Sequence, residues 1–306
     1  MTKISTAAFA PITSHDDGSL NSPDIITSHP TLHPITLAVS AQWHVFPTKF
    51  DWLVREGFAL EYAPDPRNLT ASKNHLSTYL AGGTPARHHG YFPGYEIGDR
   101  RPGRAEEAMQ LHLRALEAME GIGEQQMTVH VGLTADTELD HATVVGNLHS
   151  LVNYAQQLGI AVSLENLRSG PTSNPEIMLD WTRRTGAGIT MDIGHAVSCA
   201  RVANGTLKVC EIIDMYRHNL VEVHFYESET DRHHAPRNMD ILGPVVDKLL
   251  TTECNWWTIE LDTPDDILHT RELLAAHLSA SHPAPGSRIP SISSPPSIPT
   301  TTQKPD

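Results

Sequence analysis

The chain has 306 residues, with 22 Lys and Arg against 36 Asp and Glu, which gives a formal net charge of −14. Hydrophobic residues make up 39% of the chain, which excludes full disorder, and no apolar run approaches the roughly 20 residues of a membrane helix. The three cysteines cannot all pair with one another, which argues against a disulfide scaffold. The N-terminus has no apolar stretch of the signal-peptide type, so we expect a cytoplasmic protein with no membrane partner.

Both ends of the chain lack the apolar periodicity of folded segments. Residues 1–34 mix Ser, Thr, Pro, His and Asp, and residues 281–306 are rich in Pro, Ser and Thr. Such segments bury too little apolar surface to offset the entropy of ordering. We therefore predict a disordered N-terminal tail (1–34), one folded domain (35–280) and a disordered C-terminal tail (281–306).

Eight short runs within the predicted domain are typical of buried parallel strands. In chain order they are ITLAVS (35–40), FALEY (58–62), ARHHG (86–90), MTVHV (127–131), AVSLE (161–165), GITMD (188–192), LVEVHFY (220–226) and WWTIE (256–260). ARHHG has the least apolar character of the eight.

Segments with a helical period lie between these runs. The predicted helices cover 104–122, 140–158, a segment that starts at Asn174-Pro175, 239–252 and 264–278. Strands that alternate with helices eight times predict an α/β fold, a single (β/α)8 TIM barrel. A doubly wound open sheet is the alternative, but the glycine-rich phosphate loop expected after its first strand is absent from the sequence.

Six consecutive strands, from the third to the eighth, end at or near a His, Asp or Glu. These residues are His89, His130, Glu165, Asp192, His224 and Glu260. Because chemistry in a TIM barrel takes place at the C-terminal ends of the strands, we expect the six side chains to meet at one mouth. Crowded carboxylates need a cation, and mixed imidazoles and carboxylates suit Zn, Mn or Fe better than Ca or Mg.

Two short motifs extend this predicted metal site. Asp192 and His195 are three residues apart at a strand-to-helix turn, where both side chains can face one pocket. Asp231 and His233 lie in the string DRHH (231–234). In an extended loop, side chains at i and i+2 lie on the same side, so this pair can chelate one ion. The alternative for DRHH alone is a solvated polar loop.

Four motifs taken together resemble the xylose isomerase-like TIM-barrel superfamily over about residues 35–280: LEN (164–166), DIGH (192–195), VEVHFYE (221–227) and TIEL (258–261). This superfamily includes sugar isomerases and epimerases as well as the endonuclease IV family. The resemblance has different implications in these two branches.

In the isomerase and epimerase branch, the resemblance implies one Mn, Mg or Co ion. Its ligands would be Glu165, Asp192, His224 and Glu260. Glu165 and Glu260 would also be the acid and base that move a proton at a sugar carbon, and His195 would lie beside the substrate. The string WLVREGFALEYAPDP (52–66) is similar to the second helix–strand unit of small-molecule isomerases, in which a glutamate, here Glu61, ends the strand.

In the endonuclease IV branch, the resemblance implies three zinc ions with nine ligands, all of which have a match in this sequence. His89 and His130 would share Glu165 as a bridging ligand at the first ion. The second ion would be held by Glu165, Asp192, His224 and Glu260, and the third by His195, Asp231 and His233. Multinuclear iron oxidases that modify peptides are a third relative, although DIGH departs from the asparagine-rich string of that group.

The net charge of the chain favours those functions that have a small substrate. A chain at −14 without Arg/Lys-rich insertions between its strands offers little attraction to DNA, so we expect a small polar partner, a carbohydrate, with nucleic acid as the less favoured alternative. We predict a metal-dependent isomerase or epimerase of a small sugar or sugar phosphate, with His195 and Arg232 binding the substrate. The cofactor would be one to three ions of Mn or Zn, with Fe, Co or Mg as alternatives. A multinuclear phosphoester hydrolase and an iron oxidase remain open.

Overall fold

A closed barrel of eight parallel strands forms the centre of the computed structural model, which describes residues 35–81, 83 and 85–281. The barrel strands are β1 (Thr36–Gln42), β2 (Ala59–Ala63), β3 (Ala86–Gly90), β4 (Gln126–Val129), β5 (Ala161–Glu165), β6 (Gly188–Asp192), β7 (Leu220–Phe225) and β10 (Trp256–Ile259). Strand β10 closes the barrel against β1, with Thr36 opposite Trp256. The predicted TIM barrel is confirmed.

Helices follow the strands around the outside of the barrel. They are α1 (Phe46–Glu56), α2 (Leu69–Leu80), α3 (Pro102–Met119), α4 (His141–Gln157), α5 (Pro175–Thr185), α6 (Ile193–Ser198), α7 (Ala200–Ala203), α8 (Val209–Tyr216), α9 (Gly243–Leu249) and α10 (Pro264–Ser281). Helix α5 starts as predicted, because the Asn174 side chain accepts the backbone N–H groups of Glu176 and Ile177. It ends at Gly186, whose φ of 79° favours glycine.

The structure differs from the predicted alternation in two places. Three short helices, α6 to α8, connect β6 to β7, and a small hairpin of β8 (Ser228–Glu229) and β9 (His233–His234) precedes α9. Helix α9 is also shorter than the predicted segment 239–252. The predicted tails (1–34 and 281–306) lie outside the described residues, except for Ser281, the last residue of α10. No helix in the described part of the chain is both long and apolar enough to cross a membrane.

The barrel strands bury apolar side chains outward and polar side chains inward. On β5, Val162 and Leu164 belong to the main hydrophobic core, whereas Ser163 bonds to other inward side chains. The Thr190 hydroxyl lies 2.7 Å from the Ser163 hydroxyl and 2.9 Å from the Thr128 hydroxyl. Because side chains alternate along a strand, Glu165 faces inward two residues above Ser163, toward the C-terminal mouth. The same alternation brings the other strand-end residues to this mouth.

Candidate metal centre

The six predicted strand-end residues lie together at the C-terminal mouth of the barrel. Four of them line a cavity of about 530 Å³: His89, His130, Glu165 and Glu260. Asp192 and His224 are completely buried, with 0% exposure. Within the described residues, their ligand atoms form overlapping groups in which all members lie within 4.8 Å of one another.

Glu165 is shared between two of these groups. Its Oε2 atom lies 3.5 Å from His89 Nε2 and 3.3 Å from His130 Nε2, and these three residues form the first group. The same oxygen lies 3.3 Å from His224 Nδ1. His224 belongs to the second group, together with Glu165, Asp192 and Glu260. A carboxylate in this position can bridge two ions.

The second group is organised by the turn from β6 into α6. Asp192 ends β6 and caps α6, because its Oδ1 accepts the backbone N–H of His195 at 2.6 Å. This bond leaves the other carboxylate oxygen, Oδ2, for a ligand. Glu260 Oε2 lies 3.2 Å from His224 Nδ1, so Glu260 and Glu165 approach the same imidazole nitrogen.

A third group consists of His195, Glu229 and His233. His195 Nε2 lies 3.3 Å from Glu229 Oε2, and His233 Nε2 lies 4.0 Å from Glu229 Oε1. Glu229 was not predicted from the sequence. It is paired with His233 across the β8–β9 hairpin, and directly paired residues of an antiparallel ladder share one face.

Asp231, predicted to join His233 at one ion, lines the cavity but is not a member of this group, so its role as a ligand stays a prediction. The segment forms a hairpin instead of an extended loop, and Asp231 lies at its exposed tip. The Thr230 hydroxyl donates to Asp231 Oδ1 at 2.8 Å. Arg232, predicted to bind substrate, is also exposed and lines the cavity, so its role stays a prediction.

Two of the histidines have one ring nitrogen held by a backbone carbonyl. His195 Nδ1 donates to the Asn166 carbonyl at 2.9 Å, and His233 Nδ1 donates to the Glu260 carbonyl at 2.9 Å. A carbonyl oxygen can only accept, so the proton of each neutral ring is on Nδ1 and Nε2 has a free lone pair. This arrangement is typical of metal-binding histidines, whose second nitrogen is fixed by a hydrogen bond.

Asn166 is a second residue that the sequence prediction missed. Its side chain forms two hydrogen bonds of 2.9 Å with the backbone of Asp192, and its own carbonyl accepts from His195. It therefore ties the end of β5 to the end of β6. The LEN motif contained this residue, but only its glutamate was assigned a role.

Glycine is required in DIGH for a steric reason. A Cβ atom on Gly194 would lie 1.9 Å from Cε2 of Tyr226. The Tyr226 ring is stacked on the His233 ring, with centroids 4.0 Å apart. Gly194 therefore makes room for the aromatic ring against which a residue of the third group packs.

Burial and neighbouring charge shift the pKa values of the site in opposite directions. Burial alone would raise the pKa of Glu165, but the imidazoles of His130 and His224 hold it below its usual range. Burial opposes charge on His224, yet Glu165 and Glu61 raise its pKa well above the ordinary value. Burial lowers the pKa of His130 to about 4, against the raising effect of Glu165.

The donor set fits divalent transition-metal ions. Among the described residues, Glu165 Oε2, Asp192 Oδ2 and His224 Nδ1 are buried without a well-aligned hydrogen bond. Buried polar atoms rarely remain unpaired, and ligand atoms that converge on one point satisfy this rule when a cation lies between them. Imidazole nitrogen and carboxylate oxygen without thiolate suit Zn, Mn and Fe.

The sequence of the chain matches a known protein family and a known relative. The family model described as xylose isomerase-like TIM barrel matches residues 55–281. The uncharacterized protein MJ0008 of Methanocaldococcus jannaschii is 29% identical over 157 residues, which cover 51% of this chain and 68% of that protein.

Two solved structures illustrate the range of similar folds. A D-tagatose 3-epimerase-like protein is 18% identical with a TM-score of 0.65, and the match covers 80% of this chain and 98% of that one. Endonuclease IV from Thermus thermophilus is 15% identical with a TM-score of 0.60, covering 80% and 99%. At these identities the likeness establishes the barrel fold alone.

Proposed function

We propose that this chain, which belongs to the xylose isomerase-like TIM-barrel family, is a multinuclear metal-dependent hydrolase of small phosphoesters. The observation that carries the proposal is the position of Glu165. Its Oε2 atom lies within 3.5 Å of ring nitrogens from His89, His130 and His224, which belong to two different ligand groups. A shared carboxylate suits a pair of neighbouring ions better than a single ion.

The third ligand group supports more than one ion independently. A site for one ion needs only Glu165, Asp192, His224 and Glu260, which form a complete group without His195, Glu229 and His233. The latter three also converge, and two of them have a ring nitrogen fixed by a backbone carbonyl. In a mononuclear enzyme His195 would serve the substrate alone, whereas its convergence with His233 on the Glu229 carboxylate favours a further ion.

The ions would be held by the three groups, where they would supply Lewis acidity and positive charge to a phosphoryl group. The chain's own residues would position the substrate. Arg232 lines the cavity from the exposed hairpin tip, and its guanidinium can bind phosphate oxygens. Arg168 has a different role, because it donates to the carbonyls of Glu229 and Thr230 and so fixes the hairpin.

Charge supports a small phosphoester over duplex DNA as substrate. Three exposed arginines that follow β3 are each neutralised by a carboxylate; the pairs are Arg100–Glu138, Arg101–Asp99 and Arg104–Glu107. DNA-binding surfaces need unpaired cations along the phosphate backbone. A net charge of −14 and a cavity of about 530 Å³ favour a compact ligand instead.

A sugar isomerase or epimerase is the second candidate function. It is favoured by the second group, in which Glu165 and Glu260 both lie close to His224 Nδ1, at 3.3 and 3.2 Å. Two carboxylates beside one ion site could act as the acid and base on either side of a sugar carbon. This reaction needs the second group only.

The two candidates differ in their dependence on His130, which belongs to the first group alone. We expect the zinc- or manganese-loaded protein to hydrolyse bis(p-nitrophenyl) phosphate. His130→Ala should lower kcat/KM about 100-fold or more, as removal of one electrostatic group of an active site does. The exposed His149 on α4 provides the matched control, and His149→Ala should retain full activity.

The isomerase or epimerase candidate predicts a different result that can also be measured. A panel of ketoses incubated with the enzyme in heavy water would gain carbon-bound deuterium if the second candidate is correct. Deuterium exchange that survives His130→Ala, together with no phosphodiester hydrolysis by the wild type, would contradict our proposal.

A further inference from the structure

A buried glutamate lies beneath the metal centre and belongs to no function assigned so far. Glu61 is the central residue of β2, has 0% exposure and points into the barrel below the mouth. The side chain therefore lies in the barrel interior, away from solvent.

Each oxygen of Glu61 faces a different histidine of the centre. His224 Nε2 lies 3.0 Å from Oε1, and His89 Nδ1 lies 3.4 Å from Oε2. In both rings the opposite nitrogen is the one that faces Glu165: His224 Nδ1 at 3.3 Å and His89 Nε2 at 3.5 Å. Glu61 thus contacts these two histidines on the side away from the shared carboxylate.

We infer that Glu61 is a positioning residue that fixes the rings and the tautomers of His89 and His224 for metal binding, without binding the metal itself. The inference rests on the proposed metal-binding function. Glu61 would give these two rings the orienting acceptor that His195 and His233 obtain from backbone carbonyls. One carboxylate would then orient a ligand of the first group and a ligand of the second group together.

Imidazole chemistry distinguishes this role from that of a ligand. Glu61, His89 and His224 lie close enough to hold an ion of their own. A neutral imidazole carries one N–H, so a ring that ligates an ion through one nitrogen must keep its proton on the other. If His89 and His224 bind ions through their other nitrogens, a further ion between Glu61 and both rings would require two imidazolates. A carboxylate oxygen at 3.0 Å is instead the acceptor that the His224 N–H needs.

Substitution of Glu61 by Gln tests the inference without changing side-chain size. An amide has a single acceptor oxygen, so it can accept from only one of the two rings and presents N–H groups to the other. We expect Glu61→Gln to weaken zinc binding about 10- to 100-fold in competition with a chelator, the usual effect of losing such a partner. The number of ions bound at saturating zinc should stay unchanged.

Two further variants control the experiment. Asp99 is also a buried carboxylate, but it pairs with Arg101 outside the centre, so Asp99→Asn should leave zinc affinity unchanged. Glu61→Asp keeps the charge and should recover part of the lost affinity. Ring ¹⁵N spectra of the zinc-loaded protein should show the His224 proton on Nε2 and the His89 proton on Nδ1.

Several results would overturn the inference. Unchanged zinc affinity in Glu61→Gln would mean that Glu61 does not orient the ligands. Loss of one whole ion at saturation would make Glu61 a ligand. Zinc binding by the wild type without phosphoester hydrolysis would contradict the proposed reaction only, because the affinity measurements do not depend on a substrate. A wild-type chain that binds no metal would contradict both.

Discussion

The histidines of the centre differ in what holds the second nitrogen of each ring. His195 and His233 donate to backbone carbonyls, and His224 donates to a buried carboxylate. In the described part of the chain, the Nδ1 atoms of His130 and His89 are by contrast buried without a hydrogen-bond partner, although Glu61 Oε2 lies 3.4 Å from that of His89. Most of these rings are thus oriented before an ion binds. This lowers the entropic cost of binding, because fewer side-chain rotamers lose their freedom at that step.

Gly194 permits a direct test of the packing behind the third group. Gly194→Ala would put a Cβ atom 1.9 Å from the Tyr226 ring, which must then move away from its stacked position on His233. We expect a loss of about 1–3 kcal/mol in unfolding free energy, the usual cost of overpacking, and weaker binding of the third ion. Thermal and chelator titrations measure the two effects.

Gly146→Ala is the matched control for this substitution. Gly146 is an exposed residue of α4, and a Cβ atom there would meet nothing within 4 Å. Alanine should stabilise this helix by up to about 1 kcal/mol without changing metal affinity. Equal destabilisation by both variants would show that the Tyr226 contact has no special importance.

Strand ends and the two short motifs DIGH and DRHH predicted every residue of the three ligand groups except Glu229. Glu165 and Asp192 end strands whose apolar residues mark them clearly, so periodicity and residue type identified both. Glu229 could not be found this way, because it reaches the third group through pairing with His233 in a two-residue-strand hairpin. Such short strands leave no periodic signal.

At the level of elements, β3 shows why a polar strand can belong to a barrel core. Its inward residues are Arg87, which binds Glu222 Oε2 at 3.1 Å and lies over the Trp256 ring, and His89 of the metal centre. The outward His88 bonds to the Ile122 carbonyl at 2.7 Å. The structure confirms the predicted strand despite its weak apolar pattern.

Helix α3 provides a pH-dependent prediction away from the centre. His112 is buried against Phe92, and burial lowers its pKa to about 4 from an ordinary value of 6.5. Between these pH values the unfolded chain binds the extra proton, so stability falls as pH drops from 6.5 to 4. This shift corresponds to about 3 kcal/mol at its limit.

His112→Leu should remove this part of the acid sensitivity. We expect the variant to lose less unfolding free energy than the wild type between pH 6.5 and 4, with no difference in slope above pH 6.5. Urea unfolding at several pH values measures the difference, and contributions from the metal centre cancel in it. The exposed His149→Leu should retain the wild-type slope, and an unchanged slope in His112→Leu would refute the prediction.

At the scale of the whole molecule, the net negative charge and the carboxylates at the barrel mouth both affect which ligands bind. Carboxylates concentrated at one end of the barrel raise the affinity for cations, and the net charge of −14 discourages long polyanions. The barrel fold followed from the order of strands and helices in the sequence. The number of ions did not, because it depends on distances between side chains from different strands.

The metal content of the purified chain is therefore the most direct test of our account. Protein purified without chelator and saturated with zinc should contain two to three ions per chain by elemental analysis. Glu165→Gln should lower this number by at least one, because its carboxylate is shared by two groups, and should abolish hydrolysis while the barrel stays folded. A wild-type chain that binds one ion at saturation, or a Glu165→Gln variant that retains all its metal, would contradict the multinuclear centre.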